Sequence, residues 1–378
     1  MNYVYQNKLD YDKGVGVVLG SYSPLHNGHL DIIYQAKKEC SGGTVVIVCG
    51  YEGDKGYPLM PLKSRYQMVR EYFKYDPLVA VYCLSDDEMG IAGYTDQWDI
   101  WLEHLMKDVI TLNAESDDVA HLKECLTFFV GEPEYADEIS KRFFRTRLID
   151  RQANPICATM IRENPHKYWN NIAWTFRRVF SHNILITGTA SEGKTTLVED
   201  IGRYFNIPFS FEWARKYIEK HCLGDWEFNA TDFLSFLNGQ FNYNRDCVES
   251  KSNTGIFISD TDAIVTAMYA KYYALDPEMD LSSTEYLNII KPATDAYVAK
   301  SKWDKIFVVV PHGEFVDDHT RYMKHGTMEA RNELVEILFD ELNKADLDDT
   351  VEILNGGYLN NFNKVKEYIL ERMAEWNE

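Results

Sequence analysis

The sequence predicts an α/β protein built from two open, mostly parallel-sheet domains in tandem. Short β-rich apolar runs alternate with helical patterns along the whole chain. Two of these runs end in glycine-punctuated turns that lead into helices, at residues 20–29 and 188–195. The length of 378 residues exceeds the usual size of one hydrophobic core, so two domains of about 150–200 residues are expected.

Composition and charge narrow the functional class. A formal net charge of -20 disfavours a nucleic-acid binder, because no basic excess is available to neutralise a phosphate backbone. Seven cysteines without a CxxC pair indicate reduced thiols and a cytoplasmic protein rather than a disulfide framework or a zinc site. No stretch of 18 apolar residues and no apolar leader is present, so no membrane partner is expected.

The β-rich runs define two series of strand candidates. The first series covers residues 15–20, 44–50, 78–84, 126–131 and 146–150. The second covers residues 183–188, 209–213, 255–260, 305–310 and 351–356. The Trp-rich segment between the two series is predicted to be a helical connector. The predicted domain limits are therefore residues 1–165, connector 166–182 and residues 183–378.

The first glycine-punctuated turn reads "GSYSPLHNGH" and follows a strand candidate. His26 and His29 come out near the start of the next helix, where they can donate hydrogen bonds to phosphate oxygens beside the helix dipole. Such a pair suits attack at an α-phosphate, where negative charge accumulates. Gly20 and Tyr22 are expected to contact the same nucleotide. The alternative is two structural histidines.

Two later segments of the first half are candidates for the same site. "ICATMIR", residues 156–162, places Thr159 and Arg162 at another helix start, as in the second phosphate-holding element of nucleotidyltransferases. Trp98 and Trp101 lie three residues apart on one predicted helical face. They either stack a substrate base or pack in the core.

The second turn, "GTASEGKT", matches G-x-x-x-x-G-K-[ST] between a strand and an amphipathic helix. This pattern predicts a loop whose backbone amides hold the phosphates of ATP, with Lys194 on the β- and γ-phosphates and Thr195 on Mg²⁺. The remaining nucleotide contacts are expected from Gly188, Ser191, Gly193 and Thr196.

Acidic residues follow two further strand candidates. Asp260 and Asp262 could hold Mg²⁺ or accept the proton of an attacking hydroxyl, with Asp260 the candidate metal ligand. Glu212, Trp213 and Arg215 suit a small polar aromatic substrate, the acid binding ribose hydroxyls and the indole stacking. The catalytic base of this reaction is Glu212, Asp260 or Asp262, and the sequence leaves the three open.

Basic residues in "EFVDDHTRYMKHGTMEAR", residues 314–331, predict a lid that clamps the transferring phosphate. Arg321 and Arg331 are its candidate phosphate ligands. A solvated helix is the alternative. Together these features favour a small-molecule kinase in the second half.

In this order the motifs "GSYSPLHNGH", "ICATMIR", "GTASEGKT", "EWARKY" and "DTD" resemble those of the NadR-type proteins. The resemblance runs from about residue 14 to the C-terminus. It implies a Rossmann-like nucleotidyltransferase domain followed by a P-loop kinase domain. It also implies that the kinase makes nicotinamide mononucleotide (NMN) from nicotinamide riboside and ATP. The transferase would then join NMN to AMP from a second ATP, releasing pyrophosphate and forming NAD.

Two departures from the family pattern bear on function. Cys157 stands where the family element I-S-x-T-x-x-R has a hydroxyl, and a thiol is a weaker hydrogen-bond donor, so one phosphate contact is expected to weaken. The first strand candidate begins at residue 15, so the helix-turn-helix of some relatives, and with it a DNA-binding role, is not expected. The competing hypotheses are a nucleotide sensor with kinase activity only, and a kinase and nucleotidyltransferase for another nucleoside. The oligomeric state is left open, a homo-oligomer included.

Overall fold

A computed structural model describes residues 6–53, 60–91, 97–150, 155–312 and 326–376 of the chain. The chain divides into two compact units, residues 1–180 and 181–378. None of the helices in the described ranges is long and apolar enough to cross a membrane.

The first unit is built on a five-stranded parallel sheet of order β3-β2-β1-β4-β5. Because the chain moves outward from β1 and then returns to its other side, the strand order reverses between β1 and β4, where ligands bind in such sheets. The strands are β1 (Val15–Gly20), β2 (Thr44–Gly50), β3 (Val79–Ser85), β4 (Leu126–Val130) and β5 (Arg145–Leu148).

Helices cover both faces of this sheet. They are α1 (Asn27–Glu39), α2 (Leu62–Phe73), α3 (Asp86–Met89), α4 (Trp98–His104), α5 (Thr111–Ala114), α6 (Val119–Cys125), α7 (Pro133–Ser140), α8 (Ala158–Glu163) and α9 (Trp174–Phe180). A π-helical stretch, Leu105–Ile110, joins α4 to α5. Along β4, Phe128 and Phe129 point into different cores, so each face of the sheet has its own buried layer.

The Trp-rich segment predicted to be a connector belongs to the first unit. Trp169, Phe176 and Phe180 are buried in the same core as α1 and α2. The backbone N–H of Ala173 donates to the carbonyl of Leu25 at 3.0 Å, which fixes the segment against the first glycine-punctuated turn. Its aromatic side chains therefore support the first candidate site.

The second unit also has a five-stranded parallel sheet, of order β10-β9-β6-β8-β7. Its central strand, β6, carries the second glycine-punctuated turn at its carboxyl end. The strands are β6 (His182–Gly188), β7 (Phe209–Ser210), β8 (Ile256–Ser259), β9 (Lys305–Val309) and β10 (Val351–Leu354). The helices are α10 (Lys194–Phe205), α11 (Trp213–His221), α12 (Ala230–Val248), α13 (Ala263–Tyr273), α14 (Ser283–Glu285), α15 (Lys291–Val298), α16 (Met328–Lys344) and α17 (Tyr358–Glu375).

Three cores stabilise the second unit. Alternate residues of β6 enter different cores, Ile184 and Ile186 on one face of the sheet and Leu185 on the other. A third cluster lies among α11, α12, α13 and α15 and includes Phe233 and Tyr273. This aromatic cluster forms the floor of a cavity described below.

The predicted fold class, two parallel-sheet α/β domains, is confirmed. All ten strand candidates form strands, and the apolar runs therefore located both sheets. The candidate at 209–213 is shorter than expected, because Trp213 already begins α11. The candidate at 255–260 ends at Ser259, which leaves Asp260 in the following turn.

Candidate active sites

The first glycine-punctuated turn lies between β1 and α1. His26 caps α1, and its Nδ1 accepts a hydrogen bond from the backbone N–H of Gly28 at 3.1 Å. A neutral imidazole that accepts through Nδ1 carries its hydrogen on Nε2. The turn therefore fixes His26 as a donor through Nε2 at the amino end of a helix, where anions are favoured.

His29 lies in the first turn of α1, with its ring centroid 3.8 Å from that of His26. Tyr22 makes an edge-to-face contact with His29, with ring centroids 5.0 Å apart. The Tyr22 side chain is fully buried and supports His29, so the expected nucleotide contact of Tyr22 could come only from its backbone. Gly20 is the last residue of β1, at the entrance to the turn.

The second phosphate element is joined to the first by Arg162. Its guanidinium donates to the carbonyl of Ser23 at 2.6 Å and to the hydroxyl of Thr159 at 3.1 Å. A Cβ at Gly28 would lie 3.3 Å from the carbonyl oxygen of Ile156, so this glycine allows the two elements to approach closely. The structure thus brings together the two motifs that the sequence placed in one site.

Cys157 is the N-cap residue of α8 and makes no side-chain capping hydrogen bond. Its side chain is exposed. The expectation that the thiol weakens a phosphate contact here stays a prediction.

Sequence reasoning missed Arg65 of α2, which is fully buried. Its guanidinium donates to the carbonyls of Ser21 at 2.5 Å, Met60 at 3.0 Å and Tyr51 at 3.0 Å. It thereby fastens the turn after β1 to the segment after β2. The available signal was a charged residue next to Tyr66 on the apolar face of α2.

Trp98 and Trp101 are packed in the core. The expectation that they stack on a substrate base was therefore wrong. Trp98 is 3% exposed and Trp101 1% exposed. Their rings contact each other edge to face, and Trp98 also packs on Tyr135. Neither indole has an open face, so core packing, the alternative interpretation, describes both.

The second turn has the geometry of a phosphate-binding loop. A Cβ at residue 188 would lie 2.2 Å from the carbonyl oxygen of Val309, so only glycine fits at the end of β6. Ser191 and Gly193 have φ angles of 64° and 73°, which turn successive amides toward the start of α10. The Lys194 ammonium donates to the carbonyl of Thr189 at 2.7 Å, so its side chain lies back along the loop. Thr196 is exposed in the first turn of α10.

Asp260 is hydrogen-bonded to Thr195, which follows the lysine of the phosphate loop. The Thr195 hydroxyl donates to Oδ2 of Asp260 at 2.5 Å. The carboxylate is 1% exposed, and its Oδ1 has no hydrogen-bond partner among the described residues. Burial raises the pKa of Asp260, an effect that the charge of Lys194 partly opposes.

Asp262 has a different role from the expected one. Its Oδ1 accepts from the backbone N–H groups of Ile264 and Val265, which caps α13, and its Oδ2 accepts from the indole N–H of Trp303 at 2.7 Å. The expected shared strand face does not exist, because β8 ends before both aspartates. Asp262 is therefore a buried helix cap, which removes it as a catalytic candidate.

Glu212 and Arg215 line a cavity of about 760 Å³, counting its open mouth. Their charged groups lie 3.8 Å apart. Both charges act on the pKa of Asp260, and Thr261, the residue after Asp260, also lines the cavity, so this wall lies near Asp260. The rest of the wall is aromatic, formed by Phe228, Phe233, Phe236, Tyr269 and Tyr273.

Trp213 does not line this cavity, contrary to expectation. Its ring packs on α12, where a Cβ at Gly239 would lie 2.3 Å from it. Sequence reasoning also missed Asp225, which lies in the cavity wall and accepts from the Tyr273 hydroxyl at 3.1 Å. The only available signal for the wall was aromatic spacing, as between Phe233 and Phe236.

The expected lid falls mostly on residues 313–325, outside the described residues, and Arg321 is among them. Arg331 is described and lies in the first turn of α16. It is 2% exposed and forms an ion pair with Glu192 of the phosphate loop. Arg331 is thus engaged with a protein carboxylate, in contrast to the expected phosphate clamp.

Comparison with known families agrees with the two units. A family model described as Cytidylyltransferase-like matches residues 17–164. A second, described as an AAA domain, matches residues 183–358. Each match covers one sheet and its glycine-punctuated turn.

A solved structure of a NadR protein in complex with NR is 33% identical, with a TM-score of 0.82, and the likeness covers 95% of this chain and 96% of that one. The chain belongs to the NadR family. A NadR structure in complex with NAD and AMP-PNP is 32% identical, with a TM-score of 0.78, over 97% of this chain and 96% of that one.

Curated relatives carry the same family name. The "Trifunctional NAD biosynthesis/regulator protein NadR" of Escherichia coli (strain K12) is 24% identical over 96% of this chain and 84% of its own length. The protein of that name from Salmonella typhimurium (strain LT2) is matched at the same identity and coverage. Membership of the NadR family therefore extends over both units, as the order of motifs implied.

Proposed function

We propose that this chain is a bifunctional NAD-synthesising enzyme. It phosphorylates nicotinamide riboside with ATP to give NMN, and it adenylylates NMN with a second ATP to give NAD and pyrophosphate. The observation that carries this proposal is the likeness to NadR structures holding NR, or NAD and AMP-PNP, over at least 95% of the chain. We assign the kinase to residues 183–378 and the adenylyltransferase to residues 1–165.

In the kinase, the loop that ends at Lys194 holds the triphosphate of ATP and the aromatic cavity holds the riboside. Glu212 lines the cavity and accepts the proton of the ribose 5′-hydroxyl as its oxygen attacks the γ-phosphorus. The bond to the bridging oxygen breaks, and ADP leaves. Asp262 caps a helix, Asp260 is bonded to Thr195, and Asp225 of the cavity wall is bonded to Tyr273, which favours Glu212 as the base. Arg215 orients it.

We further propose that Thr195 and Asp260 hold Mg²⁺. Mg²⁺ prefers hard oxygen ligands, and these residues supply a hydroxyl and a carboxylate 2.5 Å apart. The buried Oδ1 of Asp260, with no hydrogen-bond partner among the described residues, also fits a cation ligand. When bound, the ion neutralises charge on the β- and γ-phosphates.

In the adenylyltransferase, the two histidines and Arg162 hold the phosphates of ATP. The NMN phosphate oxygen attacks the α-phosphorus, and the electron pair of the broken bond leaves with pyrophosphate. His26, a donor through Nε2, stabilises the charge that develops on the α-phosphate, together with His29. Thr159 positions Arg162 and contributes its hydroxyl to the same site.

The partners in this proposal are small molecules: nicotinamide riboside, NMN, ATP and NAD. The net charge of -20 supports the absence of a nucleic-acid partner. The described cysteines are free thiols, which supports work in the reducing cytoplasm.

A product assay tests the proposal. Purified protein is incubated with nicotinamide riboside, excess ATP and Mg²⁺, and the products are separated by chromatography. NAD is the expected end product. Accumulation of NMN alone would contradict the adenylyltransferase assignment and favour a sensor with kinase activity only. Absence of any product, with turnover of another nucleoside, would contradict the assigned substrate.

A further inference from the structure

The phosphate-binding loop of the kinase unit contains an acidic residue. Glu192 lies between Ser191 and Gly193, the two residues with left-handed backbone. Its side chain is only 1% exposed. A carboxylate in a loop that holds phosphates repels its ligand unless its charge is neutralised, and the repulsion is strong because the site is shielded from water.

Two side chains contact the Glu192 carboxylate, and Arg331 brings the compensating positive charge. Arg331 forms an ion pair with Oε1 and is itself 2% exposed, so both partners are removed from solvent. Nδ1 of His312 lies 3.0 Å from Oε2 and 3.2 Å from the carbonyl oxygen of Val310. Because both of these neighbours are acceptors, Nδ1 carries the hydrogen.

These contacts connect three elements of the kinase unit. Glu192 belongs to the loop after β6, His312 follows β9, and Arg331 lies in the first turn of α16. The loop is therefore held in place from outside, by side chains that meet at one buried carboxylate. A change of the pair would therefore reach the loop whose backbone amides we assign to the triphosphate.

We propose that Arg331 is a positioning residue for the ATP phosphates, acting through Glu192 instead of touching the transferred phosphate. Its charge cancels that of Glu192 and holds the loop in the conformation that receives the triphosphate. This inference rests on the proposed kinase function. It separates Arg331 from arginines that contact the γ-phosphate in the transition state, whose loss cannot be repaired by changing a protein carboxylate.

A double-mutant cycle on the pair tests the proposal, with riboside phosphorylation as the readout. Arg331→Met leaves Glu192 charged and unpaired beside the phosphates, and we expect the KM for ATP to rise at least about 30-fold with a smaller fall in kcat. Glu192→Gln with Arg331→Met removes both charges, and we expect it to recover at least about tenfold of that loss. A double variant as impaired as Arg331→Met would overturn the proposal.

The double variant also decides the question if Arg331→Met fails to fold, since neutral replacement of a buried ion pair usually preserves folding. A direct phosphate clamp predicts a kcat about 10³-fold below wild type in the double variant, whereas positioning predicts a kcat within about tenfold. The matched control is Glu199→Gln with Arg203→Met. These residues form another Glu–Arg pair of the same unit, but the Arg203 side chain is 68% exposed. This control should leave the KM for ATP unchanged.

Calorimetric binding of AMP-PNP separates this inference from the proposed function. The binding event that disappears in Lys194→Ala belongs to the phosphate loop, and only that event should weaken in Arg331→Met and recover in the double variant. If wild-type protein phosphorylates no riboside, the proposed function fails, yet this titration still decides the role of the pair. Equal AMP-PNP affinity in wild type and a folded Arg331→Met would overturn it.

Discussion

Thr195 and Asp260 are joined by a hydrogen bond of 2.5 Å between residues 65 positions apart in the sequence. Thr195 lies in the first turn of α10, and Asp260 follows β8, the neighbour of β6 in the sheet. Parallel strands end at the same edge of a sheet, which places the hydroxyl and the carboxylate together. Because Thr261, the next residue, lines the aromatic cavity, the pair lies between the phosphate loop and that cavity.

Replacing Asp260 with asparagine is expected to remove the metal ligand with little effect on folding. We expect kcat for riboside phosphorylation to fall about 10²–10³-fold and the Mg²⁺ concentration for half-maximal rate to rise. Because burial raises the pKa of Asp260, loss of its charge should leave thermal stability equal or higher. Steady-state kinetics at varied Mg²⁺ and thermal unfolding measure both effects. An unchanged Mg²⁺ dependence would contradict the assignment.

Asp262→Asn is the matched control, with the opposite expected outcome. Asp262 caps α13 and accepts the indole hydrogen of Trp303. Asparagine keeps an oxygen for the capping bonds but turns an NH₂ group toward the indole N–H, which should cost about 1–3 kcal/mol of unfolding free energy. Turnover of the protein that remains folded should stay within about threefold of wild type, because the carboxylate does not face substrate. Urea unfolding and kinetics on the same preparation check this prediction.

Wild type and Asp262→Asn should also differ in how their unfolding free energy depends on pH. Burial raises the pKa of Asp262 to about 6 from an ordinary value of 3.8. The folded chain therefore binds a proton that the unfolded chain has released, and the resulting stabilisation is present at low pH and lost as pH rises through 6. The stability of wild type relative to Asp262→Asn should fall by about 1.4 kcal/mol between about pH 5 and 7.5. A difference independent of pH would contradict this assignment of the carboxyl.

Local sequence patterns located both sheets and both phosphate turns. A buried parallel strand is a short apolar run, and a phosphate turn needs glycines at fixed spacing beside a helix start, so both signals are local. The positions of Lys194 and His29 follow from such signals. Strand ends were less well determined, which is why Asp260 and Asp262 were assigned to one strand face.

The sequence did not predict which side chains far apart in the chain contact each other. The sequence shows that Arg331 is basic, but a carboxylate of the phosphate loop is as good a partner for it as a phosphate of ATP. Arg65 binds backbone carbonyls, which every residue carries and which leave no sequence signal. Likewise, Trp213 and Phe233 are both aromatic, and only the direction of their helices decides which one faces the cavity.

The separation of the two sites predicts separable activities. His29→Ala should reduce adenylylation of supplied NMN about 10²–10³-fold and leave riboside phosphorylation unchanged, because it removes a donor from the first phosphate turn alone. Lys194→Ala should do the reverse. His104→Ala, a histidine of the first unit outside the turn, serves as the control. Loss of both activities in a folded single variant would contradict separate sites.

Glu212→Gln tests the assignment of the kinase base. We expect kcat to fall about 10²–10⁴-fold with a much smaller change in the KM for riboside, because the amide can still accept ribose hydrogen bonds but cannot take the proton. Glu219→Gln changes an exposed residue of the same helix and should have no effect. If Glu212→Gln kept more than a tenth of the wild-type kcat, another group would have to be the base.

The exposed N-cap thiol of α8 allows a gain-of-function test. Cys157 makes no capping hydrogen bond, whereas a serine hydroxyl at an N-cap accepts from the helix backbone and donates to phosphate more strongly than a thiol. We therefore expect Cys157→Ser to stabilise the first unit by about 0.5–1 kcal/mol and to lower the KM for ATP in adenylylation several-fold. Cys157→Ala, which supplies neither contact, should give no such gain. A serine variant no better than the alanine variant in both measurements would mean that the side chain at 157 does not reach the nucleotide, and that the backbone amide alone holds the phosphate there.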